Sequence, residues 1–456
     1  MKPVTVVIIG GGVAGLGCAG ELAAAKIDVV VFDKGRNIGG RLASKDLPFG
    51  RVDHGAQFLR LDTSGLRSAL GPDHSLIRVL EDEHSSRPRW LIRGGARCLA
   101  ERLAASARAN GTEINTSHKV ESLARVVDQG LTLWRITVRP HGQQPHSVVA
   151  RHLILAIPAP QAIALLKPLA SVDGLASEDS IAHSSAPFEP NVPESEPDGI
   201  SIAASSTTTH DPAIASINTL IDRLRRVRYA RALTAMLHLP ERAPVKPAWK
   251  IDSDDVFSVI DQSPKGLLPQ PRASESRRGD RSRPTPMPGR LVAVTSTPAF
   301  AERWWPAMDP ESSTANTPRN TQDLAKARGH TAKRALTALI KAATPWIGDM
   351  VEDAALHHWG YSHRIEAATS PVGRHPEPAH TPLKGLGIRT KAATDATTSG
   401  DAGTRPSIND ESSQTWLWSS EMALGICGDS LSASRVSSAH ESGVRLAKAF
   451  LDSSAR

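Results

Sequence analysis

The sequence predicts an α/β fold in which a Rossmann-type nucleotide-binding domain carries an inserted α+β domain. Three observations predict it. The chain opens with a strand–helix–strand unit that has a G-x-G-x-x-G loop between its first two elements. Several strand-like runs between residues 112 and 158 read as an antiparallel meander inserted in that domain. The C-terminal segment "LGICGDSLSASRVSSAHESGVRLAKAFL" has the pattern of a strand, a tight turn and a helix.

The first unit is the most specific of the three. "VTVVIIG" is a continuously apolar run, as expected of a strand buried on both faces, and "VAGLGCAGELAAAK" follows with helical spacing. Gly10 allows the tight turn, Gly12 lets the backbone approach a pyrophosphate, and Gly15 lets the helix pack close to the strand. The phosphate would then lie at the helix N-terminus, which favours an anion.

An acidic residue ends the second strand of this unit, "IDVVVFDK". Asp33 stands 23 residues after Gly10, near the offset of about 20 at which such an acid binds the ribose hydroxyls. A glycine-rich turn without a ligand does not explain this acid. The acid also argues against a 2′-phosphate, so the sequence predicts a dinucleotide other than NADP.

A second pair of glycines in "NIGGRLAS" distinguishes FAD from NAD. Gly39 and Gly40 follow the second strand and let the backbone run close to a ribityl chain or a flavin ring. Arg41 adds a multidentate donor for the pyrophosphate or a flavin oxygen, although a surface arginine in a loop is the alternative.

These motifs resemble the FAD-dependent amine oxidase superfamily, and within it most of all the renalase-like branch. The resemblance rests on the glycine loop, on "GGRLAS" and on "DHGAQF" at residues 53–58. It implies a Rossmann-type FAD-binding domain of the glutathione-reductase and p-hydroxybenzoate-hydroxylase kind. It extends to "WLIRGGARCLAERLA", "SHKVESLA", "HLILAIPAPQAIALL", "PGRLVAVTSTPAFAERWW" and "LGICGDS". The cofactor-binding residues that it implies are Gly10, Gly12, Ala14, Gly15, Asp33, Lys34, Gly40, Arg41, Ala56, Gln57, Val120, Gly428 and Asp429.

The chain departs from the family pattern at four places. Leu42 replaces a methionine and Ser44 a threonine, which are mild changes. The turn after Asp429 is polar and rich in serine, and Gly360 replaces an arginine between two aromatic residues. Flavin binding tolerates these changes, whereas the identity of the substrate does not follow from the resemblance.

The proposed catalytic residues are Trp359, Tyr361 and His54. Trp359 and Tyr361 lie two apart, so on a strand they share one side. They either line a flat pocket over the flavin or form a core-facing side of the strand. His54 either orients the flavin or takes part in the chemistry. Amine oxidases often frame the amine with two aromatic rings, but the sequence does not show whether Tyr229 and Tyr361 meet.

The resemblance divides the chain into two domains. A discontinuous FAD-binding domain is predicted at residues 1–60, 91–170 and 415–456, and a substrate domain at 61–90 and 171–414. Segments near 171–218, 263–290 and 391–414 have the composition of flexible insertions. A helix is predicted over residues 93–111, ended by Gly111.

Composition restricts the partners. The net charge is +7, but seven basic residues and two acidic ones lie between Lys265 and Arg290, where a solvated loop explains them better than nucleic-acid binding. No apolar run approaches the roughly 18 residues of a membrane span, and the start is not typical of a signal peptide. Three dispersed cysteines predict a reducing, cytoplasmic setting. His357, His358 and His363 give no clear metal geometry, so no metal is predicted.

Three functions remain open on the sequence. The first is a renalase-like oxidase of a small dihydronicotinamide-type substrate, with hydride transfer to flavin N5 and O2 as the acceptor, as the resemblance implies. The second is an amine or polyamine oxidase, or a desaturase, of the same superfamily. The third is a flavin-binding protein without catalysis.

Overall fold

A computed structural model of the chain describes residues 3–60, 66–67, 70, 76–79, 89–170, 212–267, 289–308, 321–365, 415–429, 431–432 and 435–454. The described strands are β1 (Val4–Ile9), β2 (Val29–Phe32), β3 (Ser44–Leu47), β4 (Gly50–Asp53), β5 (Leu76–Val79), β6 (Arg89–Ile92), β7 (Glu113–Asn115), β8 (His118–Asp128), β9 (Leu131–Pro140), β10 (His146–Leu155), β11 (Arg228–Leu239), β12 (Ala248–Trp249), β13 (Val256–Asp261), β14 (Arg290–Ser296), β15 (Asp353–Ile365), β16 (Trp416–Ser419) and β17 (Leu424–Cys427). The described α-helices are α1 (Val13–Ala24), α2 (Arg97–Ala109), α3 (Ala159–Leu166), α4 (Pro212–Arg225), α5 (Pro298–Met308), α6 (Thr321–Ile347) and α7 (Val436–Ser454).

The first sheet has eight strands and a parallel centre. Strands β17, β10, β1, β2 and β7 run parallel side by side, and β16 is antiparallel to β17 at one edge. The first half of β10 pairs with β9, and β9 pairs with β8, so that these three strands form an antiparallel meander. This is the predicted Rossmann-type α/β fold, and its strands are apolar because both faces of the sheet are covered.

Two helices lie on one face of this sheet, and they pack against each other through small residues. α1 and α7 approach so closely that a Cβ added at Gly443 would lie 2.0 Å from the carbonyl oxygen of Ala14. A Cβ at Gly17 would lie 2.9 Å from the ring of His440. The C-terminal helix is thereby held beside the first βαβ unit.

The second sheet is antiparallel, in the order β12-β13-β14-β11-β15. One face packs against α5 and α6 around Leu233, Phe300, Trp305 and Leu339. The other face meets the β3–β4 hairpin, where Met236 and Leu291 pack on Phe49 and Val52. Since this hairpin joins two of the sequence motifs, the second sheet is brought directly onto them. The predicted domain boundaries themselves stay a prediction.

Several local predictions are corrected by the structure. The run 112–120 is divided between β7 and β8, and "ESLARVV" continues β8 rather than forming a separate strand. α2 begins at Arg97, not near 93, because Gly94 and Gly95 have φ values of +81° and +94°, outside the helical range. Its predicted end is confirmed at Gly111, whose φ is +99°.

Two predicted insertions are shorter than their composition indicated. Residues 212–218 belong to α4, whose apolar side packs Ile217 and Ile221 into the core of the first sheet. At the second insertion, residues 263–265 form a 3-10 turn and Arg290 begins β14. The prediction of a solvated loop is therefore wrong at both ends, and residues 268–288 lie outside the described part. The third insertion, 391–414, also lies outside it.

Candidate active site

The glycine loop between β1 and α1 has the backbone that its sequence predicts. Gly10 has a φ of +111°, and a Cβ there would lie 2.5 Å from the carbonyl oxygen of Ala156. A Cβ at Gly15 would lie only 2.0 Å from the carbonyl oxygen of Gly10, so the helix can pack here only on glycine. A Cβ at Gly12 would meet nothing within 4 Å, which leaves open space beside the backbone at the start of α1.

Asp33 closes this loop from the end of β2. Its carboxylate accepts hydrogen bonds from the backbone N–H of Gly11 and of Gly35, each at 2.6 Å. Burial raises the pKa of Asp33, and the two N–H donors oppose the shift. The acid is therefore fixed against the glycine loop, as required of a group that would bind a ribose next to a pyrophosphate.

The second glycine pair packs on the first loop. The N–H of Gly39 donates to the carbonyl oxygen of Gly11 at 2.8 Å, and a Cβ on Gly40 would lie 3.4 Å from Cα of Gly12. Both Gly39 and Gly40 have positive φ, +110° and +53°. These glycines are thus explained first by the contact between two loops, which cannot be predicted from the sequence.

The D-H-G-A-Q loop, residues 53–57, forms a third layer on the second. The N–H of Ala56 donates to the carbonyl oxygen of Arg41 at 2.7 Å, and the N–H of His54 to that of Ala43 at 3.2 Å. A Cβ at Gly55 would lie 2.1 Å from the Arg41 carbonyl oxygen, so this contact also requires glycine. Three motifs are therefore joined by backbone contacts.

Arg41 and Asp429 form an ion pair between the second motif and the C-terminal one. The hydroxyl of Tyr229 donates to the other oxygen of Asp429 at 3.3 Å and accepts from the N–H of Ala159 at 3.3 Å. Burial and the neighbouring Asp429 raise the pKa of Tyr229, so it stays a neutral phenol. The second sheet, which contributes Tyr229 from β11, thus contacts the predicted cofactor residues directly.

Two serines bind the backbone of Gly428, the residue that follows β17. Gly428 has a φ of +109°. Its N–H donates to the hydroxyl of Ser442 at 2.8 Å, and its carbonyl oxygen accepts from the hydroxyl of Ser432 at 2.9 Å. These two hydrogen bonds hold the backbone of Gly428 on both sides of its Cα.

Alternate residues of β15 face the D-H-G-A-Q loop and β11. The ring centroids of His54 and Trp359 are 5.3 Å apart, and the indole Nε1 of Trp359 donates to the carbonyl oxygen of His54 at 2.8 Å. The rings of Tyr361 and Tyr229 meet edge to face at 5.6 Å. Trp359 and Tyr361 share one side of the strand, as predicted, and the two tyrosines meet, which the sequence left open.

The opposite side of β15 is a packing surface. The rings of His358 and Trp305 are 5.7 Å apart, and a Cβ at Gly360 would lie 3.5 Å from the Trp305 ring. The strand has two more residues than β11 between the pairs Trp359–Ala232 and His363–Ala230. The residues of this bulge, 360–362, have no ladder partner on β11, and such a bulge bends the strand locally.

His54 and His357 form a pair of uncharged imidazoles. Their ring centroids are 4.0 Å apart. Burial, with a smaller effect of Lys45, lowers the pKa of His54 to about 4. Burial, followed by His54 and His358, lowers the pKa of His357 to about 3. In the sequence, His357 belongs only to a group of histidines without a clear metal geometry, and its place beside His54 follows only from the pairing of β15 with β11.

Lys265 is the functional candidate that sequence reasoning missed. The sequence predicts that it lies in a solvated loop, but its side chain is 1% exposed and its Nζ lies 2.6 Å from Asp53 Oδ2. A lysine followed by glycine in a basic, proline-rich segment carries no local signal of burial. The partner Asp53 lies 212 residues away, and only the fold brings the two together.

The other predicted cofactor residues take ordinary positions. Ala14 is buried in the first turn of α1, close to Gly428, and Lys34 is exposed after Asp33. Val120 on β8 is buried in the same core cluster as Phe32. The side chain of Gln57 donates to Thr295 Oγ1 at 3.0 Å. Cofactor contacts of these four residues stay predictions.

No group of three or more His, Cys, Asp or Glu side chains among the described residues is arranged to hold a metal ion. No helix in this part of the chain is long and apolar enough to cross a membrane.

Known proteins were compared with the chain. Residues 8–68 match the family described as NAD(P)-binding Rossmann-like domain, and residues 59–190 match flavin containing amine oxidoreductase. Among solved structures, an oxidoreductase from Methanosarcina mazei is 11% identical, with 98% of this chain and 100% of that one covered and a TM-score of 0.46. A flavoprotein/dehydrogenase from Cytophaga hutchinsonii is 11% identical, with 99% and 79% covered and a TM-score of 0.39.

The described residues fit FAD. The start of α1 leaves open space beside Gly12, and a fixed carboxylate stands at the end of β2. Two buried polar atoms on the D-H-G-A-Q loop, Gln57 Oε1 and His54 Nδ1, have no partner among the described residues. Together with the two family matches, the chemistry of this site identifies an FAD-dependent oxidoreductase.

Proposed function

We propose that this oxidoreductase oxidises a small dihydronicotinamide-type substrate, with O2 as the electron acceptor. The observation that carries the proposal is the side of β15 on which His357, Trp359 and Tyr361 follow one another beside His54 and Tyr229. A planar, uncharged dihydropyridine ring suits such a wall, because stacking on half-buried rings requires no charged partner.

The charges around this wall also favour an uncharged ring over an ammonium group. Asp429 is paired with Arg41, and Asp53 is paired with Lys265, so both carboxylates are neutralised by a neighbouring cation. Lys45 contributes to the low pKa of His54 and of His357. A polyamine cation would therefore meet cations and neutral rings, and Coulomb repulsion would oppose its binding.

The protein's part in this reaction is orientation and the exclusion of water. Bound FAD would supply the hydride acceptor at flavin N5, and O2 would accept the two electrons to give hydrogen peroxide. We assign Trp359 and Tyr361 to the substrate ring, and His54 and Gln57 to the loop that orients the cofactor. Asp33 would hold the ribose and Arg41 the pyrophosphate, with Gly428 and Asp429 beside the ribityl chain.

A second candidate is oxidation of an amine. The rings of Tyr229 and Tyr361 stand edge to face with 5.6 Å between centroids, and amine oxidases often frame the amine with two aromatic rings. The match of residues 59–190 to flavin containing amine oxidoreductase points the same way.

One experiment separates the candidates. The absorbance spectrum of the purified holoprotein is recorded before and after anaerobic addition of a mixture of dihydronicotinamide isomers, and again with polyamines. We expect the oxidised-flavin bands to bleach with the dihydronicotinamides and to recover in air with one equivalent of peroxide. Bleaching with an amine alone would establish the second candidate, and flavin that stays oxidised with every donor would indicate a flavin-binding protein without catalysis.

A further inference from the structure

We propose that Lys265 is a positioning residue for the cofactor, whose ion pair with Asp53 holds the D-H-G-A-Q loop where FAD requires it. Lys265 Nζ donates to Asp53 Oδ2 at 2.6 Å and to the carbonyl oxygen of Gln57 at 2.8 Å. One ammonium group therefore joins the first and last residues of the five-residue loop.

Other residues hold the backbone of Asp53 and its carboxylate. The side-chain amide of Gln262 donates to the Asp53 carbonyl oxygen at 2.7 Å and accepts from its N–H at 2.8 Å. The carboxylate also accepts from the hydroxyl of Ser44 at 2.5 Å and from the N–H of Ala96 at 2.9 Å. Asp53 thus links residues 262–265 to the turn before α2 and to β3.

The loop that is held in this way lies against the cofactor motifs. Ala56 donates to the Arg41 carbonyl oxygen, and Gly39 in turn donates to that of Gly11. These contacts are backbone to backbone, and glycines without room for a Cβ line them, so they cannot absorb a shift of the loop by a change of rotamer. A displacement at Asp53 is therefore transmitted to Gln57 and Arg41.

The energetics indicate that the Lys265–Asp53 ion pair positions the loop rather than stabilises the fold. Lys265 is 1% exposed and Asp53 0% exposed, and burial lowers the pKa of Lys265 while Asp53 opposes the shift. A buried ion pair is commonly no more stabilising than apolar residues of the same volume. What an apolar pair could not do is bind the Gln57 carbonyl oxygen and fix the loop at both ends.

The test compares Lys265→Met with Lys265→Arg, with the double variant Asp53→Asn/Lys265→Met and with Lys333→Met, an exposed lysine on α6. The readouts are the dissociation constant of FAD, the flavin midpoint potential and the melting temperature. In Lys265→Met the buried Asp53 loses its counter-ion, so we expect FAD to bind at least tenfold more weakly. The uncompensated negative charge should disfavour reduced flavin tenfold, which is about 30 mV for a two-electron couple.

The other variants separate charge from position. The double variant removes both charges, so its midpoint potential should return toward that of the unmodified protein while FAD affinity stays at least tenfold lower. Lys265→Arg keeps the charge and should change the potential by less than half as much as Lys265→Met. Lys333→Met should match the unmodified protein in all three readouts.

The proposal is overturned if Lys265→Met and the double variant melt at lower temperature but keep FAD affinity and midpoint potential within twofold of the unmodified protein. If the single variant Lys265→Met does not fold, the FAD affinity of the double variant tests the proposal. None of these readouts uses a substrate. The role of Lys265 can therefore be disproved while the proposed oxidation stands, and the proposed oxidation can be disproved while the role of Lys265 stands.

Discussion

The two sides of the candidate site are built by different means. On the cofactor side, the loops at Gly10, Gly39 and Gly55 touch through their backbones, with no space for a side chain between them. On the substrate side, β15 presents the side chains of Trp359 and Tyr361, which meet residues 305 and 132 positions away along the chain, respectively.

This difference predicts how each side responds to change. A backbone contact at van der Waals distance cannot accept even a methyl group without displacing a loop, because protein interiors are close-packed. A wall of rings can be altered at one ring while its neighbours remain in place. A substitution that disturbs the cofactor side should therefore abolish FAD binding. A substitution on the substrate side should only lower the reaction rate.

The strongest test of this contrast uses two glycines of the same helix. Gly15→Val places side-chain atoms where a Cβ is already 2.0 Å from the carbonyl oxygen of Gly10, so α1 must move away from β1. We expect the purified variant to contain no flavin and to bind added FAD at least 100-fold more weakly. Flavin content and FAD titration measure this.

Gly20→Ala is the matched control, because a Cβ at Gly20 meets nothing within 4 Å. It should bind FAD normally and raise the free energy of unfolding by about 0.5–1 kcal/mol, the usual gain of alanine over glycine inside a helix. Normal FAD binding by Gly15→Val would contradict the close-packed description of the cofactor side.

The same contrast explains how much the sequence could predict. The close packing at Gly10 and Gly15 and the place of Asp33 at the end of β2 could be predicted from spacing, because each lies within one βαβ unit and demands a particular residue type. Their contacts with a cofactor stay a prediction. Strand alternation correctly placed Trp359 and Tyr361 on one side. The meeting of Tyr229 with Tyr361, and of Lys265 with Asp53, could not be predicted, since it depends on the pairing of strands and loops that are distant in sequence.

The substrate side is tested by Trp359→Leu, compared with Trp304→Leu. The Trp359 indole contacts His54 and its Nε1 donates to the His54 carbonyl oxygen, whereas Trp304 belongs to α5 and packs against the apolar cluster behind the sheet. We expect Trp359→Leu to keep its flavin spectrum and to be bleached about tenfold more slowly by the dihydronicotinamide. That is the loss of roughly 1.4 kcal/mol, a typical ring-stacking contribution.

Trp304→Leu should lower the melting temperature and leave the bleaching rate unchanged. Equal bleaching rates for the two variants would remove Trp359 from the substrate wall. Loss of flavin from Trp359→Leu would mean that the two sides of the site are not separable.

The smallest expected effect concerns the pair of imidazoles where the two sides meet. His54 has a folded-state pKa of about 4, below the usual value of 6.5, because it is buried. The unfolded chain therefore takes up a proton first as the pH falls, and the folded state loses stability between pH 6.5 and about 4. Full stability is present above pH 6.5, and His54 alone would account for a loss of about 3 kcal/mol.

His54→Gln removes this proton-binding difference but leaves that of His357. We expect urea unfolding of the variant to depend less steeply on pH between 6.5 and 4 than that of the unmodified protein, with the two curves parallel above pH 7. Curves that are parallel over the whole range would show that the His54 imidazole is as accessible to protons when folded as when unfolded. In that case the wall beside the D-H-G-A-Q loop would be open to water, and a charged substrate would be as well accommodated there as an uncharged ring.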